Sequence, residues 1–306
     1  MVRVGAFVPT AYNREALMKL YKLITALLVF TFLILLSTPA GAKSVPKTVK
    51  ARLVADVTSI TPGSSFNLGV LLNVSPGWHV YWKNSGDSGL PTSVEYTLPE
   101  GFRVGEPKWP VPVVFVGAGD VVDYGYEDSL FLYSNVTAPE GLTEGEKVPL
   151  KAVVSWVSCK EICIPGKAEL EISLPVAAET EPANTPLFTE WEKRLPIGEF
   201  DSRNPFDIEV NTETTGKNLT SVKILLDARR ELSDIALYPV PGDSLIVENI
   251  TVTPRPGENH TEVSFLVKRL RGSGSTQINL DTLIAFTEKD GARSGVELPV
   301  TLDISE

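Results

Sequence analysis

The sequence predicts an all-β protein, two β-sandwiches joined by a short helical linker behind a cleaved signal peptide, and three observations predict it. Apolar and polar residues alternate in one segment after another from Val49 to Ile304, the period-two pattern of strands that bury one face. Pro175, Pro182, Pro186 and Pro196 interrupt that pattern near the middle of the chain and mark a break between two strand-rich halves. The N-terminus carries a short apolar run behind basic residues and ahead of a small-residue site.

Taken in order, residues 1–42 read as an export signal. Arg3, Arg14, Lys19 and Lys22 precede the apolar run from Leu23 to Leu36, and Ala40-Gly41-Ala42 follows as a cleavage site. The run suits a signal core and is short for a membrane span, which needs about 20 apolar residues. The competing reading is an uncleaved N-terminal anchor, which the A-x-A site opposes. Met18 opens a complete signal by itself, so translation starts at Met1 or Met18. No cysteine follows the site, against a lipoprotein. No later segment reaches transmembrane length, so the processed chain is expected to be soluble and periplasmic.

Residues 43–180 read as the first sandwich. Val49, Ala51, Leu53, Ala55 and Val57 form one alternating set; Phe66, Leu68, Val70, Leu72 and Val74 form the next, across the Thr61-Pro62-Gly63 turn. Further strands fit Leu130–Val136, Leu150–Val157 and Ala168–Val176. The Gly/Pro-rich stretches Ser75–Pro91 and Pro107–Tyr126 read as long irregular loops, the kind that carries function on a sheet scaffold. Thr185-Pro186 ahead of Leu187–Leu195 reads as a capped helix of two turns. Residues 181–306 then hold a second sandwich, with alternation at Val222/Ile224/Leu226, Leu245/Val247, Val263/Phe265/Val267, Ile278/Leu280 and Val296/Leu298/Val300/Leu302/Ile304.

Composition narrows the chemistry. A net charge of −10 leaves no basic stripe for phosphates and argues against nucleic acid. His79 and His260 are the two histidines and stand far apart, so no histidine-based metal cluster is expected and no cofactor is implied. Both methionines, Met1 and Met18, leave with the signal, which removes thioether ligands for Cu(I). Both cysteines reach an oxidising compartment.

The informative segment runs from Ser155 to Gly166, with Cys159 and Cys163 at a hairpin-like turn near the surface. Three intervening residues permit a disulfide if the Cα atoms approach within about 7 Å. Such a bridge closes a very small ring and, in the loop-entropy model, stabilises by only about 2 kcal/mol. It is either a structural staple or a reactive pair, and spacing alone does not decide. Zinc is excluded by the shortage of ligands. Lys160 favours a thiolate and Glu161 opposes one, so the local field does not strongly acidify either thiol. Trp78, Tyr81, Trp82, Tyr124, Tyr126 and Trp156 crowd the surrounding loops. The tryptophans read as core, with Trp156 also flanking the pair, and Tyr124 and Tyr126 read as shields over the sulfurs. His79 reads as a hydrogen-bonded structural residue, Asp87 as an Asx-turn, and Asp123, Glu127 and Asp128 as solvated.

Three blocks together resemble the N-terminal periplasmic region of the DsbD/ScsB thiol–disulfide reductases. They are Gly77–Pro91 (GWHVYWKNSGDSGLP), Asp123–Glu127 (DYGYE) and Trp156–Pro165, in family order. The resemblance spans both sandwiches, the second matching less closely. It implies immunoglobulin-like domains and a redox pair, Cys159 and Cys163, with Cys163 as the nucleophile. It also implies a cap over the cysteines at Asp123, Tyr124, Gly125 and Tyr126, and modulation by Lys160, Glu161 and Trp156. The implied partners are a membrane electron donor of DsbD/ScsB type and periplasmic thioredoxin-like proteins. The chain lacks the transmembrane conduit and C-terminal thioredoxin domain of full-length DsbD, so a separate membrane protein is expected to supply electrons. Copper handling is a third possibility, with only two thiols to serve it. The alternative class is a non-catalytic β-sandwich adaptor whose disulfide is structural.

Overall fold

The computed structural model describes residues 18, 19, 21–25 and 27, and then residues 47–303 apart from 118, 217, 256–258 and 271–276. The chain divides into two units, Met1–Pro46 and Lys47–Glu306. In the first, every described residue is helical. Most of the expected signal core, and the Ala40–Ala42 site, lie outside the described residues. Among the described residues no helix is long and apolar enough to cross a membrane.

The second unit is nearly all strand. One sheet orders β1 (Val49–Ala55), β2 (Ser65–Val74), β8 (Ser129–Thr137) and β5 (Arg103–Val104). A second orders β10 (Cys163–Pro175), β9 (Lys147–Cys159), β3 (His79–Gly86), β7 (Val122–Glu127) and β6 (Val113–Val116), with β4 (Ser93–Thr97) also on β9. The apolar faces of the two sheets share one core, in which Leu68, Val80, Leu130, Phe131, Leu150 and Val154 are wholly buried. Two further sheets follow, β11 (Ile197–Gly198)–β18 (Arg293–Asp303)–β17 (Gln277–Thr287)–β14 (Ser233–Val240) and β12 (Phe206–Gly216)–β13 (Leu219–Ala228)–β16 (His260–Arg269)–β15 (Leu245–Pro254). Val222, Ile224, Val263, Leu280 and Val296 fill the core between them. The architecture is that of two immunoglobulin-like sandwiches.

The predicted strands appear where alternation marked them, except that Val57 falls beyond the end of β1 and Ile304 lies outside the described residues. The two stretches read as irregular loops do not stay irregular: Ser75–Pro91 contains β3, and Pro107–Tyr126 contains β6 and most of β7. In β3 the run Val80, Tyr81, Trp82 is buried on both faces, so apolar and polar residues do not alternate there. The linker helix spans Thr185–Glu192, with a proline in its first turn. Asn184 at its N-cap makes no side-chain capping bond and instead donates its amide to the Ala55 carbonyl at 2.9 Å, tying the linker to β1. Phe188 and Trp191 pack against Phe131, with ring centroids 5.0 and 6.3 Å away.

Candidate functional site

Parity along three strands divides the residues near the cysteines into two faces. On β3, β7 and β9 the even-numbered Val80, Trp82, Tyr124, Tyr126, Val154 and Trp156 enter the core between the sheets. The odd-numbered His79, Tyr81, Asp123, Gly125, Val157 and Cys159 point to the outer face. There Tyr81, Val157 and Cys159 make a small buried cluster of their own. Register completes the row: Cys163 pairs with Cys159, Cys159 with His79, and His79 with Glu127.

Cys159 and Cys163 form a disulfide with Cα atoms 4.2 Å apart, closing the hairpin between two 13-residue strands. Its two sulfurs differ in access. Cys159 is 4% exposed, whereas Cys163 is on the surface beside the exposed turn Lys160-Glu161-Ile162. The expectation of two surface thiols thus holds for one of them.

The group that touches the sulfurs is Tyr81. Its hydroxyl donates to the Cys159 sulfur at 3.0 Å and lies 3.9 Å from that of Cys163. Asp123 Oδ2 is 3.5 Å from the same hydroxyl. Asp123 is itself buried and held: Oδ1 accepts from the Ser88 amide at 3.0 Å and Oδ2 from the Ser88 hydroxyl at 2.9 Å. Burial, joined by the negative Asp123 nearby, raises the Tyr81 pKa against the Ser88 hydrogen bond, so the phenol keeps its proton and remains a donor. Gly89 lies against the Tyr81 ring; its φ is +69°, and a Cβ there would sit 2.2 Å from Tyr81 Cζ. At Gly125 a Cβ would fall 2.1 Å from the Val80 carbonyl oxygen, so only glycine lets β7 lie this close to β3.

His79 stacks on Phe115 of β6 at 4.2 Å and meets Tyr81 edge-on at 5.2 Å. Among the described residues its buried Nε2 has no hydrogen-bond partner, against the expectation of a hydrogen-bonded histidine. Burial lowers its pKa, while Asp123 and Glu127 pull it upward.

Several expected site residues fall elsewhere. Asp123–Tyr126 is a paired strand, not a loop. Tyr124 packs against Trp82 and Tyr238, and the Tyr126 hydroxyl donates to the Pro110 carbonyl at 2.7 Å. Even parity sends both rings into the core, so neither tyrosine shields the sulfurs. Asp123 is buried instead of solvated, while Glu127 and Asp128 are exposed. Trp156 lies on the core face opposite the disulfide, against Gly166. The Lys160 ammonium lies beside Gly77, and Glu161 is exposed. Asp87 sits in the turn that follows β3, and its carboxylate accepts from the Val122 amide at 2.8 Å, joining the Ser85–Pro91 segment to β7. Cover over the outer face comes from Ser88 and Gly89 against Tyr81 and from Phe115 against His79. Sequence reasoning passed over Phe115, although its two-residue spacing from Val113 on a short apolar run was a readable signal. Among the described residues no three His, Cys, Asp or Glu side chains gather to hold a metal ion.

Residues 47–175 match the family described as thiol:disulfide interchange protein DsbD, N-terminal. No curated protein matches the chain. Among solved structures, the N-terminal periplasmic domain of ScsB from Proteus mirabilis is 16% identical at a TM-score of 0.59, over 83% of this chain and 94% of that one. That likeness extends the shared fold into the second sandwich. The reduced DsbD N-terminal domain of Neisseria meningitidis is also 16% identical, over 46% of this chain and 96% of that one, at a TM-score of 0.26. The sequence match and the disulfide hairpin agree: residues 47–175 are similar to the N-terminal domain of the DsbD thiol:disulfide interchange proteins.

Proposed function

We propose that this protein is a periplasmic thiol–disulfide carrier that takes electrons from a membrane reductase partner and hands them to thioredoxin-like clients through Cys159 and Cys163. The observation that carries this reading is the asymmetry of the pair: an exposed Cys163 sulfur bonded to a buried Cys159 sulfur that already has a hydrogen-bond donor on it. The hairpin gains little from the bridge as a staple, since a 13-residue ladder already pairs its strands.

In the reductive half, a donor thiolate attacks Cys163, the accessible sulfur. The Cys159–Cys163 bond breaks and Cys159 leaves as a thiolate, onto which the Tyr81 hydroxyl donates. A hydrogen bond to a charged sulfur is stronger than one to a neutral sulfur, so Tyr81 favours this departure. The donor's second thiol then resolves the mixed disulfide, leaving the chain reduced by two electrons and protonated by two protons. In the oxidative half, the Cys163 thiolate attacks the client disulfide and Cys159 displaces the client's second thiolate. Ser88, Gly89 and Phe115 serve as the cap that keeps small thiols from Cys159.

The decisive measurement is the reduction potential of the pair in the processed chain. A carrier is expected above about −300 mV, and a lower value identifies a structural bridge. Cys159→Ser is expected to trap a mixed disulfide with a thioredoxin-like protein through Cys163, whereas Cys163→Ser is expected to trap little.

A further inference from the structure

The exchange reading places Tyr81 at the Cys159 sulfur, so whatever fixes Tyr81 tunes the site. The β-ladder does not fix it alone. β3 pairs with β9 at His79 and Val80 only, and its pairing with β7 is interrupted between Tyr81 and Gly86. Trp82–Ser85 fall in that interruption and have no ladder partner among the described residues.

The second sandwich takes the place of that ladder, from behind. Tyr238 on β14 is wholly buried and meets Trp82 edge-on at 5.9 Å and Tyr124 at 4.8 Å. Trp82 follows Tyr81 on β3, and Tyr124 follows Asp123 on β7. One ring thus backs both strands whose outward side chains surround the buried sulfur. The Asn84 amide donates to the Pro239 carbonyl at 2.6 Å, and Lys83 lies 4.0 Å from Glu297. Tyr238 is itself anchored, its hydroxyl accepting from Arg293 Nη2 at 3.0 Å. Leu283 and Ala285 of β17 join the same core cluster as Trp82 and Tyr124.

We infer that the second sandwich is a working part of the redox site, with Tyr238 a positioning residue that acts through Trp82 and Tyr124 to keep Tyr81 and Asp123 aligned on Cys159. This inference rests on the exchange reading and gives the second sandwich a task in it.

The test is the equilibrium of the Cys159–Cys163 pair against dithiothreitol in the processed full chain, for a double-mutant cycle of Tyr81→Phe and Tyr238→Ala. Tyr81→Phe should make the pair harder to reduce by about twofold to tenfold, the range of one net hydrogen bond. Tyr238→Ala should shift the equilibrium in the same direction and by a similar factor, and should add little in the Tyr81→Phe background. Tyr238→Phe keeps the ring and should stay near the wild type. A full, independent shift in the Tyr81→Phe background overturns the inference, as does no shift in a chain that near-ultraviolet circular dichroism shows folded. If Tyr238→Ala unfolds the chain, Tyr238→Leu fills most of the space without an aromatic edge and carries the same expectations. A wild-type pair that equilibrates with dithiothreitol but is inert to thioredoxin-like proteins sinks the carrier reading, and the coupling between Tyr238 and Tyr81 is still measured.

Discussion

His79 shows how one residue can report on a covered site. Its imidazole stacks on Phe115, its buried Nε2 has no hydrogen-bond partner among the described residues, and burial lowers its pKa despite the attraction of Asp123 and Glu127. The unfolded chain therefore binds a proton at pH 6.5, where the folded chain resists it. Between 6.5 and the lower folded value the unfolded state holds more protons, so stability rises with pH across that window. The contribution is complete above 6.5 and is lost as pH falls through the folded value. His79→Phe preserves an aromatic stack and should remove this component. Urea denaturation on either side of pH 6.5 checks it: a wild-type slope that persists in His79→Phe assigns the effect to another group.

At the scale of elements, parity made much of the structure legible and also set its limit. Val222, Ile224 and Leu226 alternate with wetter neighbours, so β13 was readable from one face, whereas β2 alternates in sequence but is buried on both faces from Leu68 to Leu72. β3 was not readable, because Tyr81 is buried by Ser88 and Gly89 on one side and Trp82 by the second sandwich on the other. The cysteine pairing and the burial of Trp82 were legible; the choice of Tyr81 over Tyr124 was not, since it depends on which side of β7 each residue faces. That choice changes what substitutions do. Tyr126→Ala removes a buried ring and the bond to Pro110, and should cost about 3–5 kcal/mol in urea denaturation without uncovering Cys159. Joint replacement of Cys159 and Cys163 by serine should cost only about 2 kcal/mol, because the ladder of β9 and β10 remains. Failure of that variant to fold makes the disulfide a structural requirement and counts against the carrier.

On the scale of the whole molecule, the question is where the chain can be cut. Residues 43–180 contain both cysteines and all three blocks that resemble the DsbD/ScsB region, and the sequence alone expects them to fold and exchange by themselves. The contacts across that boundary argue for a later cut. The Thr58 amide donates to the Glu181 carbonyl at 3.0 Å, and the Ala183 amide to that of Asp56 at 2.6 Å. Phe188 and Trp191 cover Phe131, and the Val111 amide donates to the Arg194 carbonyl at 2.9 Å. A fragment ending at 180 exposes Phe131 on one side and Trp82 and Tyr124 on the other. Uncovering a large aromatic ring costs on the order of 1.5–3 kcal/mol, so several together consume much of a small domain's stability. Residues 43–196 restore the linker helix but leave Trp82 and Tyr124 bare. Urea midpoints should therefore rise from 43–180 to 43–196 to 43–306. Exchange with a thioredoxin-like reductant should reach its full level only in the last of these, because only there does Tyr238 back β3 and β7. Equal stability and equal exchange in the shortest fragment would make the first sandwich self-sufficient and reduce the second to a tether.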